Sequence, residues 1–136
     1  AAAVYNSFSL QGEYMRAHVE RDKQRSDPDF DGWYVYGSWF VTGEYRRYNA
    51  KNGTFKQIKP KSKYGALELA ARYSEVDLED KTVTGGEENN TTLGVNWYLN
   101  RNIRFMANHI WVDAAPDSSG NSESPNIFQL RAQVVF

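Results

Sequence analysis

The chain has 136 residues, of which 24% are charged, with a formal net charge of -1 and no cysteine. Near-neutrality gives no case for a nucleic-acid partner, and the lack of thiols excludes a disulfide framework or a thiolate metal site. No run of about 18 apolar residues occurs, which excludes a transmembrane helix but says nothing against a β-barrel.

Mean hydropathy is -0.71, yet aromatic residues make up 15% of the chain. Alternation reconciles the two, because a barrel strand gives every second position to water and its loops are polar. The opening Ala1-Ala2-Ala3-Val4 has neither a charged nor an apolar leader region. The expectation is an exported protein whose signal peptide is absent from this chain, or a piece of something longer.

Residues 4 to 20 form the first alternating segment. Phe8, Leu10 and Tyr14 share one parity with Gly12, and Ser7, Ser9, Gln11 and Glu13 oppose them. The cluster Ser26-Asp27-Pro28-Asp29 reads as a turn. A second strand runs from about Phe30 to Thr42, with Trp33, Val35, Trp39 and Val41 against Tyr34, Tyr36 and Ser38. Gly43 to Lys63 reads as a long loop, holding the hairpin dipeptide Asn52-Gly53 and the strand breaker Pro60.

The third strand spans about Tyr64 to Leu78, with Leu67, Leu69, Ala71 and Tyr73 opposing Glu68, Ala70, Arg72 and Ser74. Glu79 to Asn90, with Gly85-Gly86, reads as loop. A fourth strand, about Thr91 to Leu99, meets a fifth, about Asn102 to Asp113, at the tight turn Asn100-Arg101. Ala114 to Pro125 is a loop of Pro, Asp, Ser and Gly. The closing strand puts Phe128, Leu130, Ala132, Val134 and Phe136 on one parity and Gln129, Arg131 and Gln133 on the other.

The expected architecture is all-β: a single domain over residues 1–136, forming about six long antiparallel strands of a transmembrane β-barrel. If the last strand ends at the periplasmic side, counting backward puts the tight Asn100-Arg101 turn and the Gly43–Lys63 loop there too. The other loops lie outside. Charge divides unevenly between the ends. Residues 46–63 carry seven basic residues and no acid, and residues 75–88 carry six acids and one base.

The basic loop either hangs in the periplasm or folds back into the lumen, where it would concentrate anions. Candidate pore-lining or anion-guiding residues are Arg46, Arg47, Lys59, Lys61 and Lys63, with Arg72, Arg104 and Arg131 on the polar parity of their strands. Glu68 and Arg72 are the candidate wall ion pair. Tyr14, Tyr73, Trp97, Trp111, Phe128 and Phe136 read as belt or lipid-face aromatics.

Asp27-x-Asp29-x-Asp31-Gly32 matches half of a calcium loop, but the twelfth position is Ser38 rather than Glu, so an acidic turn is expected. His18 and His109 lack metal-ligand spacing. Nothing fixes His109, Asp113 and Ser118 as a triad. No enzyme activity, metal or cofactor is expected.

Three blocks stand in order: Val41-Thr42-Gly43-Glu44-Tyr45-Arg46-Arg47-Tyr48, then Arg72-Tyr73-Ser74-Glu75-Val76-Asp77-Leu78, then Thr91 to Asn100 followed by Ile103-Arg104-Phe105-Met106-Ala107-Asn108. Together they resemble the C-terminal portion of the phosphate-selective porin O and P family, over about residues 30 to 136. The resemblance implies a bacterial outer-membrane homotrimer of about 16-stranded barrels. It further implies anion-selective pores in which arginine and lysine guide anions such as phosphate or polyphosphate.

About six strands cannot close such a barrel, so the chain is expected to be its C-terminal portion. Phosphate selectivity and general anion selectivity both stay open on these residues. Expected partners are outer-membrane lipid and lipopolysaccharide, small anions, and the barrel-assembly machinery through Phe128, Leu130, Val134 and Phe136. The alternatives are a small structural or adhesion barrel and a soluble lipocalin-like binding protein.

Overall fold

A computed structural model describes residues 1–20, 28–49, 51–80, 83–115 and 124–136. Asp27 of the calcium-loop pattern, Ser118, and most of the loops after His18 and before Pro125 lie outside the described residues. The strands are β1 (Ala2–Tyr5), β2 (Phe8–His18), β3 (Asp29–Phe40), β4 (Tyr48–Asn49), β5 (Thr54–Phe55), β6 (Ala66–Asp80), β7 (Val83–Tyr98), β8 (Ile103–Ala114) and β9 (Asn126–Val134). Seven form one antiparallel meander in the order β1-β2-β3-β6-β7-β8-β9, and β4 and β5 pair with each other.

Two expectations need correcting. The first segment is two strands, not one, because Asn6 takes φ 50° and turns β1 back so that Tyr5 pairs with Phe8. Asparagine tolerates that region where a β-branched or bulky residue does not. The supposed acidic loop Glu79–Asn90 is also strand, since β6 and β7 stay paired out to Asp80 and Val83. Its glycines serve a register shift between Asp77 and Glu79. Gly86 takes φ +81°, and a Cβ on Gly85 would lie 2.4 Å from the Leu78 carbonyl oxygen. Paired glycines here mark a bulge rather than the end of pairing.

Directly opposed residues in an antiparallel ladder point to the same face, so the register turns parity into rows. One outer row is Phe8, Trp39, Leu69, Val95, Ala107 and Leu130, and the next is Leu10, Gly37, Ala71, Leu93, His109 and Phe128. Aromatics flank these rows. Trp97 and Phe105 lie toward the short-turn end (ring centroids 5.8 Å apart), and Trp33 and Tyr73 lie toward the other (5.4 Å). Beyond Tyr73 the outer face turns polar at Glu75, Asn89 and Asp113, which are in register. An apolar band between two aromatic girdles is the signature of a lipid-facing barrel wall.

On the outer face Leu10, Leu69, Leu93, Val95 and Leu130 are between 40% and 74% exposed. Leu93→Arg is therefore expected to cost about 2–4 kcal/mol of folding stability in lipid. Thr92→Arg, one residue away on the inner face, should cost little. Urea titration of the full-length protein in bilayers measures both.

Candidate functional site

The inner face carries its own rows. Ser9, Ser38, Ala70 and Gly94 form a small-residue row, and Phe40, Glu68, Asn96, Met106 and Arg131 form the row below it toward the short-turn end. Small residues leave space above the wall, and the Gly43–Lys63 loop folds into it. Arg46 and Phe55 of the loop line a cavity of about 180 Å³ with Ser9, Gln11 and Tyr36 of the wall.

The loop is a braced structure rather than a slack one. Asn52-Gly53 turns the β4–β5 hairpin, with Gly53 at φ +64°. The Lys56 amide donates to the Arg47 carbonyl (2.7 Å). At its base Glu44, 2% exposed, accepts from the Thr42 hydroxyl and from the Lys61 amide (3.0 Å). Lys61 Nζ donates to the Gly43 carbonyl (2.8 Å). The Gln57 amide group donates to the Arg101 carbonyl and ties the loop to the neighbouring short turn.

Apolar packing seats the loop. Ile58 joins Phe40, Ala66 and Tyr98 in the buried cluster, and the Phe40 and Tyr98 rings lie 5.8 Å apart. Over this cluster Arg46 Nη2 donates to Glu68 Oε1 (2.5 Å). Glu68 is fully buried, and its other oxygen accepts from Asn96 Nδ2 (3.0 Å) and the Tyr98 hydroxyl (2.8 Å). Arg104 donates to the Tyr98 hydroxyl (3.3 Å) and to Gln133 Oε1 (2.6 Å).

Burial disfavours the Arg46 charge, but Glu68 outweighs it, and the guanidinium pKa stands above its ordinary value. Among the described residues, its Nε and Asn96 Oδ1 are buried without partners. Unmet groups of this kind cost stability that the ion pair must offset.

Glu68 thus pairs with Arg46 and not, as expected from the sequence, with Arg72. Residues four apart on a strand lie about 13 Å apart, beyond ion-pair reach. Arg72 instead lies over the Tyr34 ring, 4.5 Å from its centroid. Arg131 is on the inner parity and exposed. Arg47, Lys59, Lys61 and Lys63 are exposed on the loop. Arg47 and Lys61 lie over Tyr45, and Lys63 over Tyr64. Phe128, Leu130 and Val134 are exposed on the outer parity of β9, and Phe136 follows them.

Sequence reasoning missed Glu44, Ile58, Asn96 and Tyr98. Signals existed. Phe40 and Tyr98 are large aromatics on a polar parity, and Ile58 is a lone aliphatic within a polar loop.

A profile of the family described as "Phosphate-selective porin O and P" matches residues 1–136. The chain belongs to the phosphate-selective porin O and P family. It is similar to "Porin O" of Pseudomonas aeruginosa, 31% identical over 95% of this chain and 32% of that protein. It is also similar to an uncharacterized protein of Caulobacter vibrioides, 31% identical over 80% of this chain and 24% of the relative. The chain thus spans about a third of the length of Porin O. Family membership places the porin in the outer membrane. The family is one of porins rather than enzymes.

Proposed function

We propose that this chain builds part of the wall and the periplasmic mouth of a passive, water-filled pore that conducts anions, phosphate and polyphosphate among them. The observation that carries this is a charge imbalance. Of the basic residues on the inner wall and the loop, Arg46 has a carboxylate partner. Among the described residues, Arg47, Lys51, Lys56, Lys59, Lys61, Lys63, Arg72, Arg104 and Arg131 form no salt bridge. Uncompensated cations in a narrow aqueous space between low-dielectric walls raise the local anion concentration and repel cations. The pore performs no chemistry, and ions follow their gradient.

The loop lies at the same end as the short turn between β7 and β8, the end that faces the periplasm in outer-membrane barrels. Gln57 holds it against that turn. In this reading the outer face meets lipid and lipopolysaccharide, the porin is a homotrimer, and Phe128, Leu130, Val134 and Phe136 present the last strand to the barrel-assembly machinery.

Replacing Lys59, Lys61 and Lys63 together by Gln in the full-length porin tests the reading. The anion-over-cation permeability ratio, from the reversal potential in a salt gradient across a planar bilayer, should fall by about tenfold. An unchanged ratio would sink the proposal.

A further inference from the structure

One region of the inner wall does not suit a merely aqueous lining. On the pore-facing parity, Ile110 pairs with Ile127, and Val112 lies one row further from the short-turn end. Ile127 is 39% exposed. Branched aliphatics at this depth contribute nothing to holding small hydrated anions. They border a cavity of about 400 Å³ that also takes in Thr92, Tyr34 and Arg72.

Arg72 is the cationic group of this cavity, whose lining also includes the carboxylates of Glu75 and Glu88. Its guanidinium lies over the Tyr34 ring, 4.5 Å from the centroid. That ring is itself fixed, since the Tyr34 hydroxyl accepts from Gln11 (2.8 Å) and donates to Glu13 (3.1 Å). Arg72 forms no ion pair among the described residues. In register it faces Thr92, which faces Ile110. The cation and the aliphatic patch are therefore two strands apart, about 10 Å between Cα positions. Glu88, two rows away on the same parity, is held by Asn90 Nδ2 (2.6 Å).

We infer that this cavity is a binding site for small organic anions with an apolar body, such as aromatic carboxylates. The carboxylate pairs with Arg72, and the ring lies across Thr92 onto Ile110 and Ile127. Charge complementarity selects the anion, and removal of apolar surface from water selects the ring. A cation braced by an aromatic face loses little freedom on binding. The inference rests on the pore reading above, because the patch is reachable only from the lumen.

The test uses the full-length porin in planar bilayers carrying chloride current. Benzoate should reduce the current with a half-blocking concentration about tenfold below that of acetate. Ile110→Ser with Ile127→Ser should abolish that difference while leaving acetate block in place, and Arg72→Gln should weaken both anions. Equal block by benzoate and acetate, or a preference indifferent to the serines, overturns the inference. So does failure of a water-soluble thiol reagent to modify Ile127→Cys in the folded porin, since that would mean another segment of the full-length chain covers the patch. The reversal potential of the same channels reports separately on anion selectivity, so failure of the site and failure of the pore reading are distinguishable.

Discussion

Replacing Glu68 by Gln in the full-length porin is expected to free the basic loop and to cost about 3–5 kcal/mol, the usual penalty for orphaning one member of a buried ion pair. Glu68 is fully buried and binds three partners at once: Arg46, Asn96 and Tyr98. Glutamine keeps the shape but leaves the Arg46 charge against Phe40 and Phe55 with no counter-charge. The loop carries seven basic residues, so trypsin reports its release directly. Cleavage within residues 46–63 should become rapid in the variant and stay slow in the parent. The double variant Glu68→Gln, Arg46→Met should regain much of the loss, because removing both charges also removes their desolvation cost. Arg72→Gln should show no coupling to Glu68→Gln. Strong coupling there would mean the pair is wrongly assigned.

Gly65→Val should block folding more severely. Gly65 ends the loop at φ +90°, and a Cβ there would sit 2.3 Å from the Tyr98 carbonyl oxygen and 3.1 Å from Leu99 Cα. Those are backbone atoms of the neighbouring strand and turn, and they cannot yield as the tip of a side chain can. The same place fixes the loop exit, because Trp97 Nε1 donates to the Tyr64 carbonyl (2.9 Å) and Gly65 N donates to the Ser62 carbonyl (3.1 Å). The folded fraction, read as the heat-modifiable band on gels, should fall to a minor one. Gly86→Ala separates the causes. Gly86 has φ +81° but open space where a Cβ would go, so it should lose only about 1–3 kcal/mol from backbone strain. Equal effects at the two positions would argue against the backbone clash.

Parity carried most of the fold. On a strand, successive side chains point to opposite faces without further help, so the shared apolar face of Phe128, Leu130 and Val134 is legible without any partner strand. The Asn52-Gly53 turn and the short connection at Asn100-Arg101 were legible for the same local reason, since turn chemistry is set by the residues in the turn. The glycines at Gly85 and Gly86 misled because a bulge and a loop use the same residue for the same positive φ. Only the partner strand distinguishes them.

The site was less legible. Arg46 and Glu68 are 22 residues apart, and no local period relates a loop cation to a strand acid. Arg72 was the nearer base in sequence and the wrong one in space, because strand rise carries it beyond reach. By itself, then, the sequence determined the all-β alternation and the two faces of the wall, because each follows from short-range geometry. The tertiary structure decided which cation is spent on a carboxylate, how the loop is seated on Phe40 and Tyr98, and which aliphatics share a cavity with Arg72. Those relations depend on register and on chain folding back over itself, which long-range packing alone sets.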